Sequence, residues 1–135
     1  MEPLYLLDTN ILSEQVKKNP DEKVLEFLEA NESSLATCSL VIHELQYGME
    51  ILEDSKKKKI LETFIKSIQE TLPIFEYDTK AALWHAKEKS RLSKIGKTSA
   101  FADGQIASIA YVNKLKVVTK NTKDLKIFKV EVVGF

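Results

Sequence analysis

The chain is poor in cysteine, arginine, histidine and glycine, and each shortage closes off a class of protein. A single cysteine, Cys38, excludes an internal disulfide and fits a reducing compartment. The only two histidines, His43 and His85, read as packing or surface residues rather than the acid–base pair of a metal-free ribonuclease. No apolar run approaches the roughly 18 residues a membrane-spanning helix needs, and Met1-Glu2-Pro3 supplies no basic segment of a secretory leader. Repeats, low-complexity tracts and Gly/Ser linkers are also missing. The 135 residues, 44% apolar and 30% charged, therefore predict one soluble cytoplasmic domain spanning 1–135.

Net charge is zero, so nothing global marks a polyanionic partner. Its distribution is uneven. Residues 114–129 carry six lysines against the single acid Asp124, and residues 87–97 carry four lysines and Arg91 against Glu88. Such stretches make either a solvated surface or a patch for phosphates. Residues 56–59, four lysines in a row, read as plain helix surface.

Hydrophobic patterning alternates strand and helix. "PLYLL" reads as a short buried strand and "ILSEQVKK" as a helix. "NPDEKVLEFLEA" carries helix-start chemistry, with Asn19 as N-cap and Pro20 in the first turn. "SLATCS" predicts a second strand, and Ser39 then caps a helix through "LVIHELQYGMEILED". A further helix over about 57–70 stops at Pro73, and "IFEY" is a third strand. Asp78 or Thr79 caps the next helix, Ser99 begins another, and "KVVTKN" and "VEVVGF" complete the strands. This order predicts a three-layer α/β/α sandwich around a mostly parallel sheet of four to five strands.

Three of the 20 acids stand apart from the lysine-rich surface. Asp8 closes the first strand, where parallel sheets place their ligand crevice; as a bare N-cap it would need no ligand. Glu44 shares helical spacing with Val41, Leu45 and Gly48, and Asp103 lies among Ala102, Ile106, Ala107 and Ala110. A carboxylate in an apolar stripe is costly unless something neutralises it. Arg91 is the only arginine; lysines could pair with these acids, but one divalent cation would satisfy all three. Oxygen donors favour Mg²⁺ or Mn²⁺ over zinc. "VVTKNTKDL" adds Thr119, Asn121 and Asp124 at another strand end, although these residues also suit a simple turn.

In order and spacing these residues resemble the PIN-domain nucleases, above all the VapC-type toxins of bacterial toxin–antitoxin modules. "LLDTNILSE" is similar to the family's first motif and carries Asp8. "SLVIHELQYG" is similar to the second and carries Glu44. "FADGQIASIAYVNKLKVVTKNTKDL" is similar to the long C-terminal signature and carries Asp103, Thr119, Asn121 and Asp124. The resemblance implies an endoribonuclease dependent on Mg²⁺ or Mn²⁺, an antitoxin partner and a homodimer. It implies Asp8, Glu44, Asp103 and Asp124 as metal ligands, supported by Thr9, Asn10 and Thr119. The position that is a fourth acid in some members is Asn121 here, with Asp124 three residues on, so either residue can complete the site. Arg91 and Lys120 are the first candidates for RNA phosphate contacts.

Three rivals remain at this point. A haloacid-dehalogenase-type phosphatase also begins on a strand ending in Asp, but needs an acid where Asn10 stands. A response-regulator receiver needs a phosphoacceptor after the third strand, and "IFEYD" matches it poorly. A PIN-like module that binds RNA or protein without cutting is the third.

Overall fold

A computed structural model describes residues 2–135. Five strands form one sheet: β1 (Tyr5–Leu7), β2 (Leu35–Cys38), β3 (Ile74–Phe75), β4 (Lys116–Thr119) and β5 (Val132–Gly134). Their order is β3-β2-β1-β4-β5 and every pairing is parallel. The central strands are apolar because both faces are covered. Leu6, Leu7, Ala36, Cys38, Val117 and Val118 are wholly buried.

Seven helices connect and cover the strands: α1 (Thr9–Leu12), α2 (Glu22–Ala30), α3 (Ser39–Glu50), α4 (Lys56–Thr71), α5 (Thr79–Lys94), α6 (Phe101–Val112) and α7 (Thr122–Leu125). The chain starts in the middle of the sheet, builds outward to β3, then crosses back to lay β4 on the other side of β1. Right-handed crossovers in opposite directions put α1–α4 on one face and α5–α7 on the other. The order reverses between β1 and β4, the point at whose carboxyl ends open parallel sheets place their ligands. No helix among the described residues is long and apolar enough to cross a membrane.

Local chemistry sets the helix ends, and several differ from the sequence expectation. Residues 11–18, expected as one helix, split into α1 and a 3-10 segment, Ser13–Val16. Helix α2 starts later than Asn19-Pro20 suggested. Asp21 is its N-cap, accepting from Lys23 N at 3.0 Å, while its own N–H donates to Glu14 at 2.8 Å. Ser39 is the first residue of α3 rather than its cap. Helix α6 begins at Phe101 after Ala100, not at Ser99. Asp78 caps α5 as expected, accepting from Ala81 N.

Candidate metal centre

Asp8 sits at the carboxyl end of β1 and is 5% exposed. It is the N-cap of α1, and its two oxygens do different work. Oδ1 accepts from Thr9 N at 2.8 Å and starts α1. Oδ2 accepts from the Thr119 hydroxyl at 2.8 Å, and the Asn10 amide reaches it at 3.4 Å. Asn10 also accepts from Lys120 N at 3.0 Å, and Thr119 Oγ1 accepts from Asn121 N at 2.9 Å. The loops after β1 and β4 are thus tied together through side chains.

Glu44 enters from α3, where Thr9 donates its hydroxyl to Oε2 at 3.0 Å. It is exposed, which corrects the apolar-stripe expectation: Val41, Leu45 and Met49 form the buried face, and Glu44 flanks it. Asp103, in the first turn of α6, is half-buried. Burial raises its pKa, and the nearby negative charges of Asp124, Asp8 and Glu44 raise it further. Four carboxylates from four elements therefore share one electrostatic neighbourhood. Among the described residues no lysine or arginine is ion-paired with any of them.

They are not drawn into a single coordination sphere: among the described residues no three His, Cys, Asp or Glu side chains stand close enough to hold an ion as they are. Their chemistry nevertheless suits one. The donors are all oxygen, they repel one another, and Asp103 is pushed toward its neutral form by burial and by the other acids. Beneath them lies Cys38, whose thiol is pushed up to about 11, chiefly by burial and further by Asp8 and Glu44. It is a packing group, not a nucleophile.

Asn121 and Asp124 are both exposed at α7. Asn121 occupies the N-cap position without a side-chain hydrogen bond. Asp124 is the largest of the charges acting on Asp103.

The two cations expected on RNA are both engaged within the chain. Arg91 grips Glu88 with two bonds of 2.8 and 2.9 Å and donates to Ile127 O at 2.9 Å. Lys120 donates to Glu14 at 2.8 Å. Sequence reasoning passed over Glu14, which is 1% exposed and ringed by Lys120, Lys17 and the Asp21 N–H. These donors hold its carboxyl at about 2, with the Lys120 hydrogen bond the largest cause. The only sequence signal was Lys17 three residues on, which an exposed helix pair would also show.

A parallel sheet whose strand order reverses defines the class of open α/β proteins that place their ligands at the carboxyl ends of the strands at that point. The chain belongs to the PIN-domain family, whose model matches residues 5–129. It is similar to Toxin FitB of Neisseria gonorrhoeae, 32% identical over 125 residues covering 88% of each chain. The crystal structure of FitAcB from that organism superposes with a TM-score of 0.91 at 30% identity, covering 97% of each chain. It is also similar to Ribonuclease VapC2 of Rickettsia felis, 32% identical over 91% of this chain and 90% of that one. VapBC2 of Rickettsia felis, solved bound to a DNA fragment from its promoter, superposes with a TM-score of 0.82 at 28% identity, covering 100% of this chain and 99% of that one.

Proposed function

We propose that this chain is a divalent-metal-dependent endoribonuclease and the toxin of a toxin–antitoxin pair, acting in the cytoplasm. The observation that carries the reading is the electrostatic neighbourhood shared by Asp8, Glu44, Asp103 and Asp124, none of them ion-paired among the described residues. The names of its relatives, a toxin and a ribonuclease, point the same way.

Asp8, Glu44, Asp103 and Asp124 would hold Mg²⁺ or Mn²⁺, with Asp124 rather than Asn121 as the fourth acid. A divalent ion bound there supplies the positive charge that acidifies water and polarises a phosphate. Thr119 and Asn10 fix the outer oxygen of Asp8, and Thr9 fixes Glu44, so the acids are aimed before a substrate arrives. Asn121 presents an amide suited to orienting water or a phosphate oxygen.

An antitoxin partner is part of the proposal. It is supported by the likeness to the VapBC2 assembly and by apolar side chains left exposed on α3, its end and α4: Tyr47, Ile51 and Ile60. The test is cleavage of total RNA with Mg²⁺ or Mn²⁺, with EDTA, and by Asp8→Asn, which keeps a good N-cap. Fragments that need the ion and Asp8 are expected. Cleavage indifferent to both would end the proposal, and RNA binding without turnover would favour the non-cutting module.

A further inference from the structure

The acidic crevice repels RNA by itself, and the nearby cations Lys120 and Arg91 are occupied by Glu14 and Glu88. Affinity for a polyanion must come from elsewhere on the surface. At the opposite end of the sheet lies an open cavity of about 1040 Å³, ringed by Lys80, Lys87, Lys114, Lys116 and Lys129. Lys87 comes from one of the basic stretches read from the sequence and Lys114, Lys116 and Lys129 from the other; Lys80 lies outside both. The sole acid in the lining is Glu131, 3.5 Å from Lys116; the other four lysines have no ion pair among the described residues. In the wall, Trp84 of α5 stacks on the exposed Tyr111 of α6, with centroids 4.5 Å apart and planes within 17°.

We infer that this lysine-ringed aromatic cavity is a second RNA-holding surface, which grips single-stranded RNA remote from the cut. The inference rests on the reading of RNA as substrate. Flat aromatic rings amid unpaired lysines provide the two elements of sequence-tolerant single-strand binding, stacking and phosphate attraction. A second copy of the chain fits poorly, since a two-fold contact would set five lysines against five. Helix α6 links the two sites: Asp103 lies in its first turn and Tyr111 near its end, eight residues or about 12 Å along the axis. One RNA can then be anchored at the aromatic end and cut at the acidic one.

Trp84 is the only tryptophan, so its fluorescence reports on this cavity alone. The full chain in EDTA, and Asp8→Asn, would be titrated with a single-stranded oligoadenylate at several salt concentrations. Saturable quenching in both is expected. In the triple variant Lys80→Glu, Lys87→Glu, Lys114→Glu the affinity should fall at least tenfold, and the slope of log affinity against log salt should flatten by about 2. With the ion restored, that variant should show a raised KM on long RNA and an unchanged kcat. Ordinary RNA cleavage with no Trp84 quenching, or a folded triple variant that binds equally well, overturns the inference and leaves the nuclease proposal standing. Quenching without cleavage by the wild type does the reverse. Quenching by polyglutamate but not by RNA overturns it in favour of an acidic protein partner.

Discussion

The Thr119 hydroxyl donates to Asp8 Oδ2 at 2.8 Å, joining two side chains 111 residues apart at the ends of neighbouring strands. Thr119 Oγ1 in turn accepts from Asn121 N at 2.9 Å, so one buried hydroxyl aims the acid and shapes the loop after β4. Thr119→Val keeps the shape and removes both bonds. We expect a loss of about 1.5–3 kcal/mol in urea unfolding, the usual cost of a buried hydrogen bond to a charged group. RNA cleavage should fall with it, because Asp8 would keep only the long Asn10 contact on that oxygen.

Glu14 gives the protein an acid-sensitive clasp. Its carboxyl is held at about 2, against 4.5 ordinarily, by Lys120, Lys17 and the Asp21 N–H. A carboxyl lowered by folding stabilises the fold fully above its unfolded value, and that contribution fades as pH falls from about 4.5 toward 2. The melting temperature of wild type should therefore exceed that of Glu14→Gln by its widest margin above pH 4.5. The margin should close across the window below. A margin independent of pH would show that Glu14 acts through shape alone.

Gly104 of α6 sits where His85 of α5 presses against the backbone. A Cβ at Gly104 would lie 2.0 Å from His85 Nε2. His85 is 2% exposed, and its Nδ1 is engaged by the Tyr77 hydroxyl at 2.9 Å. Gly104→Ala should cost about 1–3 kcal/mol by overpacking, despite alanine's better helix propensity. Combining it with His85→Ala should cost less than the sum of the two single changes, as measured by a double-mutant cycle.

Arg91 offers a test of fold against RNA contact. Its fork holds Glu88, which also accepts from Lys129 N at 2.8 Å, and so pins α5 to the chain leading into β5. Arg91→Ala should lower the unfolding midpoint while RNA affinity, measured well below that midpoint, stays at the wild-type level. A selective loss of affinity would show that Arg91 contacts RNA as well as holding Glu88.

Much of this was legible in the sequence because it depends on local chemistry. Asp8 after a buried strand, Asp78 before α5 and the apolar runs of β1, β2 and β4 announce themselves by type and spacing. Asp103 at the start of α6 was legible for the same reason. Long-range closure was not. Glu14 was passed over as one more acid among lysines, and only the return of Asp21 and Lys120 over it sets it apart. Glu44 was misplaced because spacing of 3.6 cannot separate the middle of a buried stripe from its edge. Arg91 and Lys120 looked free because their acidic partners are not marked in the sequence by any motif. Lys80, Lys87, Lys114, Lys116 and Lys129, scattered in the sequence, become one ring only once α5 and the segments flanking β4 are brought together.

Cation binding by the four clustered acids is read by calorimetric titration of the metal-free chain with Mn²⁺. Wild type should bind saturably, and at 100 times the dissociation constant the fold should gain about 2.7 kcal/mol of stability. Asp8→Asn, Glu44→Gln and Asp103→Asn should each lose most of that heat and most of the gain while remaining folded. Equal binding by wild type and all three variants would contradict the account.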